Sequence, residues 1–177
     1  MEVPKGYVQG KGLLEAGYPW LTPKSVDFLE VYCSSDHRVL EFGCGGSTIF
    51  FARRCAHVTG CESSPEWADA VKVELAKNHL KNARIFTTQL VPPDALDRQY
   101  DIAVIDSTHL QRSVATANAM TVVRQEGIIV VDNYNRNYCD LVRKMLDSFP
   151  YKDYDDPAWD GNGTRIYVLH RSYKGKK

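Results

Sequence analysis

Apolar positions along this chain fall into short runs separated by segments where they recur every three or four residues. "RVLEF" (38–42), "HVTGC" (57–61), "ARIFT" (83–87), "YDIAVI" (100–105) and "GIIVV" (127–131) read as strands. The last is wholly apolar, as suits the centre of a parallel sheet covered on both faces. Between them lie helical patterns. One short helix is predicted over Pro23 to Tyr32, and another starts at Ser47 or Thr48 and ends near "ARRC". Ser64 reads as an N-cap with Pro65 at the first helical position, opening a helix that carries Trp67, Val71 and Leu75 inward. Leu110, Val114 and Ala117 mark one face of the next, and Tyr138, Leu141, Val142 and Met145 one face of the last. The chain closes with strand-like "YKDY" and "TRIYVLH" around the turn signal "DGNG". Five β-then-α units followed by a terminal strand pair predict a three-layer α/β domain with a mainly parallel sheet.

Length and charge narrow this picture. At 177 residues the chain suits one domain with a sizeable core. Three parts are expected: an N-terminal extension with its short helix (1–35), the main domain (36–172) and a basic tail (173–177). Lys+Arg and Asp+Glu are both 22, so the net charge is zero. That balance argues against a protein built to grip nucleic acid, whose affinity rests on accumulated positive charge. No stretch approaches the roughly 18 consecutive apolar residues that a membrane span needs. "MEVPKGYVQGKG" has no apolar core and is read as no secretory signal. The five cysteines show no C-x-x-C spacing and read as reduced thiols, which predicts a cytoplasmic protein.

The candidate chemistry starts at "EFGCGGST" (41–48). Gly43-Cys44-Gly45-Gly46-Ser47 follows the first strand, where backbone can approach a ligand closely. Thr48 stands where the dinucleotide fingerprint wants Gly or Ala, and Glu41 would repel a pyrophosphate. The same carboxylate would attract S-adenosylmethionine, which carries an ammonium and a sulfonium. Glu62 ends the second strand 21 residues later, where it can accept both ribose hydroxyl protons.

With "VLEFGCGGST", "VTGCESSPEWADAV", "YDIAVIDSTH" and "GIIVVDN", residues 36 to 170 resemble the class I S-adenosylmethionine-dependent methyltransferases. The resemblance implies a Rossmann-like fold of seven strands, the last antiparallel. It implies that Glu41, Gly43 and Gly45 line the methionine end and that Glu62 binds the ribose, with Cys44, Ser47, Thr48, Ser63 and Asp106 as further cofactor contacts. The acid common after the third strand is missing; Thr88 and Gln89 stand there.

Methyl transfer to a hydroxyl needs alignment and a proton acceptor. Asp106 ends the fourth strand, while Asp132 and Asn133 end the fifth. On neighbouring strands these three side chains would converge as oxygen ligands for Mg²⁺ or another divalent cation. That arrangement is similar to the metal-dependent, catechol-type O-methyltransferases. His109 falls where that group has its catalytic lysine and is a candidate general base beside Asp106. Trp20, Tyr134 and Trp159 are candidate walls of an acceptor pocket. "DSTH" is not the Pro-Pro-aromatic motif of amino-directed nucleic acid methyltransferases.

The sequence therefore predicts O-methylation of a small-molecule or sugar-like hydroxyl, with no nucleic acid or membrane partner. The short N-terminus is expected to leave the pocket little covered, so a homo-oligomer that completes the site is also expected. A non-catalytic cofactor-binding subunit and a nicotinamide oxidoreductase are the alternatives, Glu41 and Thr48 counting against the second.

Overall fold

The computed structural model describes residues 11–88, 90–96, 99–157, 159 and 162–170. Gln89 and the expected basic tail lie outside these, as do parts of the "DDPAWDGNG" loop. Seven strands form one sheet: β1 (Arg38–Phe42), β2 (His57–Glu62), β3 (Ala83–Thr87), β4 (Tyr100–Ile105), β5 (Val123–Asp132), β6 (Tyr151–Asp155) and β7 (Gly163–Val168). Their order is β3-β2-β1-β4-β5-β7-β6. β7 runs antiparallel to both β5 and β6, and the other pairings are parallel. The strand order reverses direction between β1 and β4, so the crevice beyond their carboxyl ends is the switch point at which such sheets bind ligands.

Strand alternation divides the core into two layers. Val39, Val58, Ile102, Val104, Ile128 and Val130 point to one face. They pack beneath α1 (Lys11–Ala16), α2 (Pro23–Tyr32), α3 (Gly46–Ala52) and α4 (Pro65–Lys77). Leu40, Phe42, Ala103, Ile105, Ile129 and Val131 point to the other, beneath α5 (Pro93–Leu96), α6 (Arg112–Val122) and α7 (Asp140–Leu146). Side chains two apart share a face, so neighbours such as Val39 and Leu40 enter opposite cores.

The Ser64 cap forms as expected, its hydroxyl accepting from the Trp67 amide at 3.2 Å. A helix, α1, precedes the one expected from Pro23. Helix α1 packs on α3, and the Leu13 and Tyr18 carbonyls approach Gly46 so closely that a Cβ there would lie 2.5 and 2.2 Å from them. The turn is thus roofed from within the chain, contrary to the expectation of a bare pocket.

Two helix faces are corrected. In α6 the inward residues are Arg112, Ala115, Thr116, Ala119 and Val122, while Leu110, Val114 and Ala117 face solvent. Alanines pack this helix close against the sheet, and that proximity outweighs the bulkier apolar stripe. The expected last helix opens as a 3₁₀ turn (Asn137–Cys139) before α7, which buries Val142 and Leu146 and leaves Tyr138 and Leu141 exposed.

Candidate functional site

Gly43 leaves β1 with φ of 89°, a left-handed conformation natural to glycine. A Cβ there would fall 2.3 Å from the Asp106 carbonyl, so glycine lets the turns after β1 and β4 touch. The Asp106 amide donates to the Phe42 carbonyl at 2.9 Å and fixes that approach. Glu62 then clamps the turn: its carboxylate accepts from the Cys44 amide at 3.1 Å and the Ser64 amide at 2.8 Å. Trp67 completes the clamp by donating its indole N–H to the Cys44 carbonyl at 2.6 Å.

Two cavities open at the switch point and share Gly43, Glu62 and Asp106. One, of about 220 Å³, is walled by the turn from Gly43 to Ser47 together with Leu13, Trp20 and Trp67. The other, of about 100 Å³, lies toward Ser63, Thr88, Ser107, Thr108 and Gln111. Gly43, Cys44, Gly45, Ser47, Glu62, Ser63 and Asp106 are therefore on cavity walls. Thr88 lines the second cavity with its amide donating to the Glu62 carbonyl at 2.9 Å, and the Gln111 side of the β4–α6 connection supplies polar surface there.

Glu41 and Thr48 stand just beneath the wall. Strand parity directs Glu41 toward α3, where it is fully buried and accepts a 2.5 Å hydrogen bond from the Thr48 hydroxyl. Thr48 accepts in turn from the Gly45 amide at 2.9 Å, so the pair ties the turn to the strand. The other Glu41 oxygen is buried without a hydrogen-bond partner. Burial pushes the Glu41 carboxyl up to about 8, with the Asp106 and Glu62 charges adding to it and the Ser47 and Thr48 bonds opposing it. A cation above the turn would relieve that strain. Among the described residues no arginine bonds to this carboxylate.

The ends of β4 and β5 hold a side chain that the sequence reading passed over. Arg112, buried at the start of α6, donates to Asp106 Oδ1 at 3.1 Å, to the Ile105 carbonyl at 3.1 Å and to the Asp132 carbonyl. Its guanidinium also sits over the Tyr138 ring, 5.4 Å from the centroid. The positive charge at a helix N-terminus opposes the helix dipole. That conflict was the one sequence signal that Arg112 serves a carboxylate rather than the helix.

The expected cation cradle does not fit this arrangement. Asp106 Oδ1 is taken by Arg112, while the two Asp132 oxygens accept from the Asn133 amide and, at 3.3 Å, the Thr164 hydroxyl. Among the described residues no group of three His, Cys, Asp or Glu side chains is placed to hold an ion. Burial raises Asp132 well above the ordinary carboxylate range, and the Asp106 charge adds to that. Asp106 rises only to about 6, since Arg112 opposes the effect of burial.

His109 is exposed and outside both cavities, with its ring 5.8 Å from that of Tyr138. Of the three aromatic walls expected, Trp20 lines the larger cavity. Tyr134 is instead buried against Asp155 and Arg165, and Trp159 is on neither wall. Leu13, Trp67, Thr108 and Gln111 were missed because only the fold brings them to the switch point.

A doubly wound sheet with a glycine turn at its switch point and acids at the ends of β1 and β2 defines a class I S-adenosylmethionine-dependent methyltransferase. The sequence profile of a methyltransferase domain family matches residues 40–134, more than half of the chain, and the chain belongs to that family. No curated protein sequence matches it significantly. Solved structures share the fold. An O-methyltransferase from Bacillus cereus, in complex with SAH, superposes with a TM-score of 0.70 at 19% identity, covering 93% of each chain. An rRNA methylase from Streptococcus thermophilus gives 0.67 at 12% identity, covering 83% of this chain and 94% of that one. The N-methyltransferase NodS from Bradyrhizobium japonicum, in complex with S-adenosyl-L-homocysteine, gives 0.63 at 13%, covering 82% and 84%. No helix among the described residues is long and apolar enough to cross a membrane.

Proposed function

We propose that this methyltransferase acts on a hydroxyl of a small-molecule or sugar-like acceptor, and that Asp106 receives the proton. The observation carrying this reading is the Asp106 carboxylate itself. It opens onto both cavities with 30% of its side chain exposed, next to the glycine turn and Glu62. The bound cofactor supplies a methyl group on a positively charged sulfur. As the acceptor oxygen forms its bond to that carbon, the carbon–sulfur pair remains on sulfur and the hydroxyl proton passes to Asp106. With a pKa of about 6, Asp106 is ionised at neutral pH and ready to receive it. Glu62 is the ribose-side acid and Glu41 the buried countercharge beneath the methionine end.

Neutral net charge and a cavity of about 220 Å³ walled by Trp20 and Trp67 favour a small acceptor over nucleic acid. Divalent-ion assistance is left out of this reading because the Arg112 guanidinium bonds the carboxylate that such an ion would need. His109 is exposed outside both cavities and is given no part in the proton transfer.

Calorimetry tests the foundation: micromolar-range binding of S-adenosylmethionine is expected, with none for NAD. Tight NAD binding and silence toward the methyl donor would overturn the assignment. A screen of phenols, catechols, sugars and short RNAs for S-adenosylhomocysteine release then decides the acceptor class, and turnover on RNA alone would refute the hydroxylated small molecule.

A further inference from the structure

We propose that Arg112 is the positioning residue of the acceptor side, a built-in cation that aims Asp106 and stands where a divalent ion would otherwise bridge β4 and β5. The inference rests on the reading of Asp106 as proton acceptor. Three contacts carry it. The guanidinium bridges two strand ends through the Ile105 and Asp132 carbonyls while its other arm holds Asp106 Oδ1. Only about 5% of the Arg112 side chain is exposed, whereas 30% of its Asp106 partner is, so the pair presents its carboxylate to the cavities and hides its cation. The aromatic face of Tyr138 and the main chain of two strands fix the planar fork, which a flexible ammonium would not match.

The carboxylates gathered here have no other strong cation among the described contacts. Asp132 is buried one strand over, and Asp106 and Asp132 are close enough to perturb each other's ionisation. Without Arg112 the strand ends would present two facing carboxylates and the Asn133 amide, an oxygen-rich set of the kind that hard divalent ions take. The guanidinium thus excludes the ion by occupying its electrostatic place, and acceptor alignment falls to Asp106 alone.

Mn²⁺ titration of the full chain followed by paramagnetic resonance separates these roles from a purely structural one. The wild type should leave the free Mn²⁺ signal intact at millimolar ion. Arg112→Gln should gain a saturable Mn²⁺ site at least about tenfold tighter than any wild-type binding. That site should vanish on adding Asp132→Asn and be absent from Arg112→Lys, which keeps the charge. A wild-type Mn²⁺ site that Asp132→Asn removes would overturn the proposal, and so would a folded Arg112→Gln that gains none. Should Arg112→Gln not fold, the wild-type titration still decides. S-adenosylmethionine calorimetry on the same wild-type sample reports separately on the methyltransferase reading, so the two cannot fail unnoticed together.

Discussion

Replacing Glu41 by Gln should strengthen the empty protein and weaken its hold on the cofactor. In the folded chain this carboxyl is raised from an ordinary value of 4.5 to about 8, because it is wholly buried and only one of its oxygens is bonded. As pH rises above 4.5 the unfolded chain releases this proton and the folded chain keeps it, so stability falls with pH and levels off above about 8. A shift of that size corresponds to a loss on the order of 3–5 kcal/mol between pH 5 and 9, at about 1.4 kcal/mol per pKa unit. Glutamine keeps the shape and the Thr48 contact but never ionises, so the variant should lack this pH dependence.

Urea denaturation of both proteins at acid, neutral and alkaline pH measures the difference. The two stabilities should lie close together near pH 5 and diverge by several kcal/mol, in favour of the variant, by pH 9. Cofactor affinity should move the opposite way. Two unit charges about 5–6 Å apart at an effective dielectric near 20 attract by roughly 3 kcal/mol. S-adenosylmethionine should therefore bind Glu41→Gln on the order of tenfold to a hundredfold more weakly, and S-adenosylhomocysteine, lacking the sulfonium charge, should lose less. Wild-type affinity should also rise with pH toward about 8, since binding expels the Glu41 proton. Parallel stability curves, with cofactor affinity unchanged by the substitution, would refute the assignment of Glu41 as a buried countercharge.

Two further outcomes follow from the site. Asp106→Asn should cut methyl transfer by at least about a hundredfold, in the range for loss of a general base, while leaving cofactor affinity within a few-fold. Wild-type turnover should rise with pH through about 6 as Asp106 loses its proton, and His109→Ala should leave that profile in place; a collapse of activity in His109→Ala alone would move the base to His109. Gly43→Ala forces a Cβ to 2.3 Å from the Asp106 carbonyl at a φ of 89°, so a stability loss of roughly 2–4 kcal/mol and loss of cofactor binding are expected in denaturation and calorimetry.

What lay in the sequence was whatever depends on near neighbours along the chain. Apolar runs of five or six residues separated by helical periods specified the strands, since each element must bury one stripe or face, and the Ser64-Pro65 pair specified a helix start by local hydrogen bonding. Glycines after the first strand and an acid at the end of the second marked the candidate turn, which needs both close backbone approach and a hydrogen-bond acceptor.

Tertiary structure alone decided which side chains meet. Strand parity sent Glu41 under the turn rather than onto the cavity wall. The closeness of α6 to the sheet put Ala115 and Ala119 inward, left Leu110 and Val114 in solvent, and carried Arg112 between two strand ends. Leu13 and Trp20 reached the larger of the two cavities because α1 folds over Gly46. Such meetings join residues far apart in the chain through packing and electrostatics, which periodicity along a single segment does not encode.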